Sequence, residues 1–217
     1  MLELGVKFLL SYFIGSILGS SLMGKIYGGV DIRTMGSGNA GGTNALRTQG
    51  WAFALGVIIV DVGKGAIAAG LIPGMNIPFI PEDPEVSRTG MIFCCAIASV
   101  MGHVWPMWYQ FQGGKGAATL IGTLLVLSPA MILPLLLVWI IVLVIFGFVG
   151  LATICAGLFT PIYLLITQSS LDGPLFAYCI SIALYLIYTH RSNIHRMKEG
   201  TEHKNEKMMI FHRKKHD

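Results

Sequence analysis

Between residues 31 and 47 the chain gathers Gly36, Gly38, Gly41 and Gly42 among Ser37, Asn39, Thr43 and Asn44, with Arg33 and Arg47 at the two ends. Glycine lets the backbone take positive φ and come close to a ligand, so successive N–H groups can converge on an oxyanion. Arg47 adds a guanidinium able to grip phosphate through two parallel hydrogen bonds. The stretch reads as an anion site, and its composition also fits a plain loop between apolar segments. A second candidate is Gly113-Gly114-Lys115-Gly116, where a lysine point charge sits inside a glycine run. A third begins at His190, because His190, Asn193 and Arg196 would share one face of a continuing helix.

Neither glycine run is a nucleotide loop. Residues 19–25 spell G-x-x-x-x-G-K, but Ile26 stands where a magnesium-holding Ser/Thr is needed, and an apolar helix precedes them where a strand is required. Around Lys115, Tyr109 replaces the first glycine and Gly116 follows the lysine. The chain has no Ser-His-Asp arrangement, no metal-ligand spacing and no dinucleotide fingerprint, so neither metal nor cofactor is expected, and no nucleic-acid partner. Cys94, Cys95, Cys155 and Cys179 lie in apolar runs and read as buried thiols.

The elements that position these residues follow from composition. Of 217 residues, 54% are hydrophobic and 12% charged, and the mean hydropathy is +0.69. That places the chain among all-α integral membrane proteins. Seven spans are expected, over residues 4–27, 51–72, 91–111, 117–127, 130–146, 150–167 and 174–188. The first apolar run reads as a retained helix rather than a signal peptide. Its Ser11, Gly15 and Gly19 recur every four residues and invite close approach of another helix. Span four is short for a bilayer.

Asp61 and Lys64 fall inside span two, three residues apart and able to neutralise each other. They read either as a structural pair or as a substrate contact. His103, just before Pro106, reads either as a satisfied interfacial histidine or as a catalytic one. Trp105, Trp108 and Tyr109 suit an aromatic belt.

Lys and Arg crowd the ends that carry the two glycine loops and the C-terminal segment, whereas the opposite ends hold Lys7 and Arg88 beside an acidic loop. Positive-inside then puts the N-terminus outside, the C-terminus in the cytoplasm and the three polar clusters at the cytoplasmic face. Residues 1–203 read as one seven-helix domain, and 204–217 as a basic cytoplasmic tail held to anionic lipid.

These motifs, in this order, carry a resemblance. The run Gly36-Ser-Gly-Asn-Ala-Gly-Gly-Thr-Asn-Ala-Leu-Arg47, then Asp61-Val-Gly-Lys-Gly65, then Gly102-His-Val-Trp-Pro106 with Phe111-Gln-Gly-Gly-Lys-Gly116, then His190-Arg-Ser-Asn-Ile-His-Arg196 with Gly200-Thr-Glu202, resembles the bacterial acyl-phosphate:glycerol-3-phosphate acyltransferase family over nearly the whole chain. The resemblance implies a multi-pass enzyme of the bacterial inner membrane, expected to be a monomer, that acylates the 1-hydroxyl of sn-glycerol 3-phosphate. Its donor would be an acyl phosphate, and its product lysophosphatidic acid for phospholipid biosynthesis.

Carried over by motif, Ser37, Arg47, Lys115, His190 and Asn193 would form the glycerol 3-phosphate pocket. The amides around Gly38, Gly41 and Gly42, with Asn39, Thr43 and Asn44, would hold the acyl phosphate, and Gly114 would line the substrate site. His103, Asp61, Lys64, Thr153 and Glu202 would support it. The chain departs from the family pattern at Lys25, Gly42 and Gln112. It also reads Gly150-Leu-Ala-Thr153 where the family reads Ser-Leu-Ala-Ser, which leaves a hydroxyl only at Thr153.

The chemistry suits the residues. An acyl phosphate is a mixed anhydride with a good leaving group, so attack by a hydroxyl needs positioning and oxyanion stabilisation more than a protein nucleophile. The sequence leaves the base open between a substrate phosphate oxygen and His190. Two other classes compete. A transporter of phosphorylated solutes would line a path through the midplane, whereas the charges here cluster at one face, apart from Asp61 and Lys64. An acyl-CoA acyltransferase would need His-x4-Asp before a cleft, and the one such spacing, His212 to Asp217, lies at the end of a charged tail.

Overall fold

A computed structural model describes residues 1–167 and 173–210, and every regular element among them is helical. The contacts group the chain into two compact units, Met1–Pro129 and Ala130–Asp217. The His212–Asp217 spacing and the basic residues Arg213, Lys214 and Lys215 lie outside the described residues.

The first unit contains α1 (Leu2–Gly15), α2 (Gly19–Ile26), α3 (Gly42–Gln49), α4 (Trp51–Gly70), α5 (Arg88–Val104) and α6 (Ala117–Leu127). Helices in lipid gain little from hydrophobic burial against each other, so they associate where small residues let backbones touch. Gly15 of α1 lies against the Ser99 carbonyl of α5, and Gly102 of α5 lies against the Tyr12 carbonyl of α1. Gly65 of α4 and Thr119 of α6 meet in the same way, as do Gly122 and Val62. A methyl group at any of these glycines would collide with a backbone carbonyl. The four-residue stripe in the first helix thus does pack, with Gly19 against Val57 of α4.

Two expectations change here. Span one is not continuous, since the chain bends by 44° between α1 and α2. The second half of the first glycine stretch is not loop but α3, which packs on α4.

The second unit contains α7 (Ile132–Phe146), α8 (Val149–Thr167), α9 (Pro174–Thr189) and α10 (Arg191–Lys198). α8 packs against both α7 and α9. After α10 the chain returns to α7: Asn205 N–H donates to Gly147 O at 2.8 Å, and Ile210 N–H to Val144 O at 3.2 Å. These bonds satisfy carbonyls that the last turn of α7 leaves without helical partners. Lys204, expected in a tail on lipid, instead sits 5.9 Å from the Phe148 ring.

Four helical segments among the described residues are long and apolar enough to cross a membrane, and the bent α1–α2 pair makes a fifth. α6 and α9 are apolar but shorter.

Candidate active site

The first glycine stretch starts with Asp31, whose Oδ1 accepts the Arg33 N–H at 3.0 Å and caps a 3₁₀ turn over Ile32–Thr34. Its carboxylate also takes Arg33 Nη2 at 2.7 Å, and this guanidinium bond holds the Asp31 carboxyl below its usual range. Arg33 lies 5.0 Å from the Tyr109 ring. Gly36 and Gly38 then take φ of +57° and +71°, conformations that raise the Ser37 tip into the open.

Asn44 organises this loop. It is buried to 1% exposure, and its Nδ2 reaches Ile32 O at 2.8 Å, Met35 O at 3.0 Å and Asn39 O at 3.0 Å. Its Oδ1 accepts the Ser37 N–H at 3.0 Å. The side chain expected to touch the acyl phosphate is therefore turned inward and spent on loop backbone. Gly38 is likewise committed, its N–H donating to Met35 O at 3.0 Å.

Among the amides with no bonded partner among the described residues are those of Gly42 and Thr43. They open α3, whose cap Gly41 offers no side chain, so the N–H groups and the positive end of the helix face outward together. Arg47 is exposed on the same short helix. Gly42 also fits α3 onto α4, because a Cβ there would lie 2.7 Å from Ile58 Cγ1.

The second glycine run is folded back on the end of α5. Gly113 and Gly114 donate to Val104 O and His103 O, each at 3.1 Å. Gly116, at φ +86°, then caps the start of α6 beside half-buried Lys115.

Asp61, Lys64 and His103 form one buried group, at 1%, 4% and 2% exposure. Lys64 Nζ lies 2.9 Å from Asp61 Oδ1 and 2.8 Å from His103 Nδ1, and donates to Ile17 O at 2.7 Å. Asp61 Oδ1 accepts the Gly19 N–H at 3.1 Å. The intramembrane charges thus satisfy the carbonyl and the amide that the break between α1 and α2 exposes. These are contacts of a structural pair within the first unit.

In the second unit, His190 joins α9 to α10. Its Nδ1 lies 2.9 Å from Leu186 O. That carbonyl assigns the proton of a neutral ring to Nδ1 and leaves Nε2 as its acceptor nitrogen. Glu202 closes the segment after α10, its Oε1 accepting Asn193 Nδ2 and its Oε2 accepting Arg196 Nε, each at 2.7 Å. Asn193 is in turn packed on Gly150, where a Cβ would come within 3.0 Å of its Cβ, Cγ and Nδ2.

The glycerol-3-phosphate acyltransferase family model matches residues 6–200. The chain belongs to that family. It is 34% identical to the glycerol-3-phosphate acyltransferase of Chlorobaculum tepidum over 215 residues, covering 89% of this chain and 93% of the relative. It is 33% identical to the enzyme of the same name from Chlorobium luteolum over 218 residues, with the same coverage. It is also similar to the crystal structures of PlsY (YgiH), an integral membrane glycerol 3-phosphate acyltransferase. For the glycerol 3-phosphate form the TM-score is 0.76 at 30% identity, covering 93% of this chain and 94% of that one. For the lysophosphatidic acid form it is 0.75 at the same identity and coverage.

Within this acyltransferase, Thr153 does not stand in freely for the family serine at 150. Its hydroxyl donates to Val149 O at 2.9 Å and accepts Trp139 Nε1 at 3.2 Å. Sequence reasoning missed the break at Ser16 to Leu18. The signal that could have found it is the Asp61–Lys64 pair itself, since a charge pair inside a span calls for exposed backbone to bond.

Proposed function

We propose that this chain is a multi-pass membrane enzyme that transfers an acyl group from acyl phosphate to the 1-hydroxyl of sn-glycerol 3-phosphate, releasing lysophosphatidic acid and phosphate. The observation that carries the reading is the first glycine loop: a rigid turn around Asn44 that delivers the open amides of α3, the Ser37 tip and Arg47 to one short segment. Family membership and the similarity to PlsY in its glycerol 3-phosphate and lysophosphatidic acid forms support it.

The α3 amides of Gly42 and Thr43 hold the donor's phosphate, with Asn39 and Gly41 shaping the turn before them. Ser37, Arg47 and Lys115 bind sn-glycerol 3-phosphate, as do His190 and Asn193; Glu202 holds Asn193, Gly114 ties the chain just before Lys115 to the end of α5, and Asp61, Lys64 and Thr153 support the helices around them. In the reaction the 1-hydroxyl oxygen forms a bond to the acyl carbon and the bond from that carbon to the phosphate oxygen breaks. The hydroxyl proton passes to His190 Nε2 or to an oxygen of the departing phosphate. Fixed donors lower the barrier by stabilising charge on the acyl oxygen and the leaving phosphate.

Counting the bent α1–α2 pair as one span and adding the two short helices gives seven. α6, at about 16 Å by helical rise, crosses only about half of a bilayer core and sits within the bundle. The excess of Lys and Arg at the loop ends supports an N-terminus outside and an active site facing the cytoplasm of the bacterial inner membrane; the enzyme acts as a monomer and draws its acyl chain from lipid.

The test is phosphate release by the purified chain in lipid vesicles, given sn-glycerol 3-phosphate and either palmitoyl phosphate or palmitoyl-CoA. Lysophosphatidic acid formed with palmitoyl phosphate alone is the expected result, and no product from either donor by folded protein overturns the reading. Arg47→Ala and Lys115→Ala should each abolish turnover while leaving the helical content intact; activity retained in either removes that residue from the site.

A further inference from the structure

We propose that His103, held in place by Asp61 and Lys64, is a positioning residue for Lys115. The inference rests on reading Lys115 as a ligand for sn-glycerol 3-phosphate.

The imidazole is clamped on two opposite edges. At one edge Lys64 Nζ stands 2.8 Å from Nδ1, a distance at which the ammonium donates to that nitrogen. The other edge rests on Gly114 so closely that a Cβ there would overlap Nε2 and lie 2.9 Å and 3.0 Å from the flanking ring carbons. The same glycine is tied by its N–H to His103 O at 3.1 Å. Residue 114 is therefore located by the ring and by the backbone of one histidine, and Lys115 is the next residue in the chain.

The ring has little freedom to shift. Lys64 Nζ is also fixed by Ile17 O at 2.7 Å and Asp61 Oδ1 at 2.9 Å, and Asp61 is fixed by Gly19 N–H at 3.1 Å. A continuous set of bonds runs from the break in the first span, through α4, to the loop before Lys115. On the other side of Lys115, Gly116 turns the chain into α6, and the Thr119 carbonyl presses on Gly65 of α4, one residue after Lys64. α4 thus braces Lys115 from both directions. The group uses three buried polar side chains where apolar ones would fill the space. Its geometric product is a lysine flanked on both sides by packed backbone.

A filler of space and a positioning group differ in what their removal changes. His103→Asn retains an amide near the place of Nδ1, able to bond Lys64, and vacates the edge that rests on Gly114. Gly114→Ala keeps Asp61, Lys64 and His103 in place in the sequence and drives a methyl into the imidazole edge, so the ring or the loop must shift. In steady-state kinetics of the full chain in vesicles, each variant should raise KM for sn-glycerol 3-phosphate about tenfold, with KM for palmitoyl phosphate and kcat within about twofold. The double variant places the new methyl in the space the ring left, so its KM should fall below that of either single variant.

Unchanged KM in both single variants overturns the inference, as does a loss that strikes both substrates and kcat equally, or a double variant no better than the singles. Thermal midpoints accompany each measurement. Should His103→Asn fail to fold, Gly114→Ala decides alone by the same KM split. A parent chain that forms no lysophosphatidic acid fails the functional reading and this inference with it. An active parent with unaffected variants fails the inference alone.

Discussion

Two buried polar side chains shape the two candidate segments, and they work by different means. Asn44 binds backbone: three loop carbonyls on its Nδ2 and the Ser37 N–H on its Oδ1. Glu202 binds side chains: Asn193 on one oxygen and Arg196 on the other. Asn44 therefore specifies where a chain of small residues runs, whatever those residues are. Glu202 specifies where two particular side chains point. A neutral amide suits the first task because it both donates and accepts, whereas a carboxylate only accepts and so suits a site fed by donors.

The substitution that should separate the two most sharply is Asn44→Asp. It keeps the shape, removes both donors and sets a carboxylate against three carbonyl oxygens. Each buried group left unsatisfied costs about 1–3 kcal/mol. The expected outcome is loss of all turnover and a large fall in the thermal midpoint; near-parent activity would mean that the loop keeps its course without Asn44. Glu202→Gln should do less, since the amide oxygen can still accept from Asn193 while its NH2 faces Arg196. Removing charge from a charge-assisted bond of about 1.5–3 kcal/mol should raise KM for sn-glycerol 3-phosphate about tenfold and leave the helical content unchanged. An equal effect of the two substitutions would dissolve the distinction between backbone and side-chain control.

The sequence carried the helical, membrane-embedded character through its hydropathy, and the Asp61–Lys64 pair through its spacing of one helical turn. It did not carry the break beside that pair, because apolar residues continue from Phe13 through Leu22 with only small residues between, and such a run reads as one helix. Asn44 shows a different limit. An asparagine among glycines has the same letters whether it faces a ligand or the loop's own carbonyls, and only the fold decides. The return of residues 204–210 to α7 was hidden for a third reason. A lysine-rich segment is attracted to anionic lipid in general, while its pairing with Gly147 O and Val144 O is a specific tertiary match. The glycine loops, His190 and Glu202 were legible as polar clusters, but which groups in each are turned inward was not.

Gly150→Ser tests the side-chain end of the comparison from the opposite wall. The new Cβ would stand within 3.0 Å of Asn193, so Asn193 must move even if Glu202 still holds its amide. A displacement of a few tenths of an ångström should lower kcat/KM by about threefold to tenfold, by the sensitivity of positioned groups. A gain in activity would indicate that the serine hydroxyl contributes more than the packing loses, and would argue that Asn193 need not be placed so tightly.

The smallest effect is expected at Asp31, which supports the glycine loop from its entrance with both means at once: a backbone cap to Arg33 N–H and an ion pair with the Arg33 side chain. Asp31→Asn keeps an oxygen for the cap and removes only the charge. The two side chains are 42% and 28% exposed, so solvent screening holds the pair to about 0–1 kcal/mol. Because the folded carboxyl titrates below its ordinary value of 3.8, its contribution is fully present above that value and disappears as pH falls through the lowered one. The thermal midpoints of parent and variant should therefore differ slightly at pH 7, converge in acid, and converge also at high salt. A gap that survives both acid and salt would mean that the cap, not the charge, was lost, and that Asp31 acts on this loop through backbone alone, as Asn44 does.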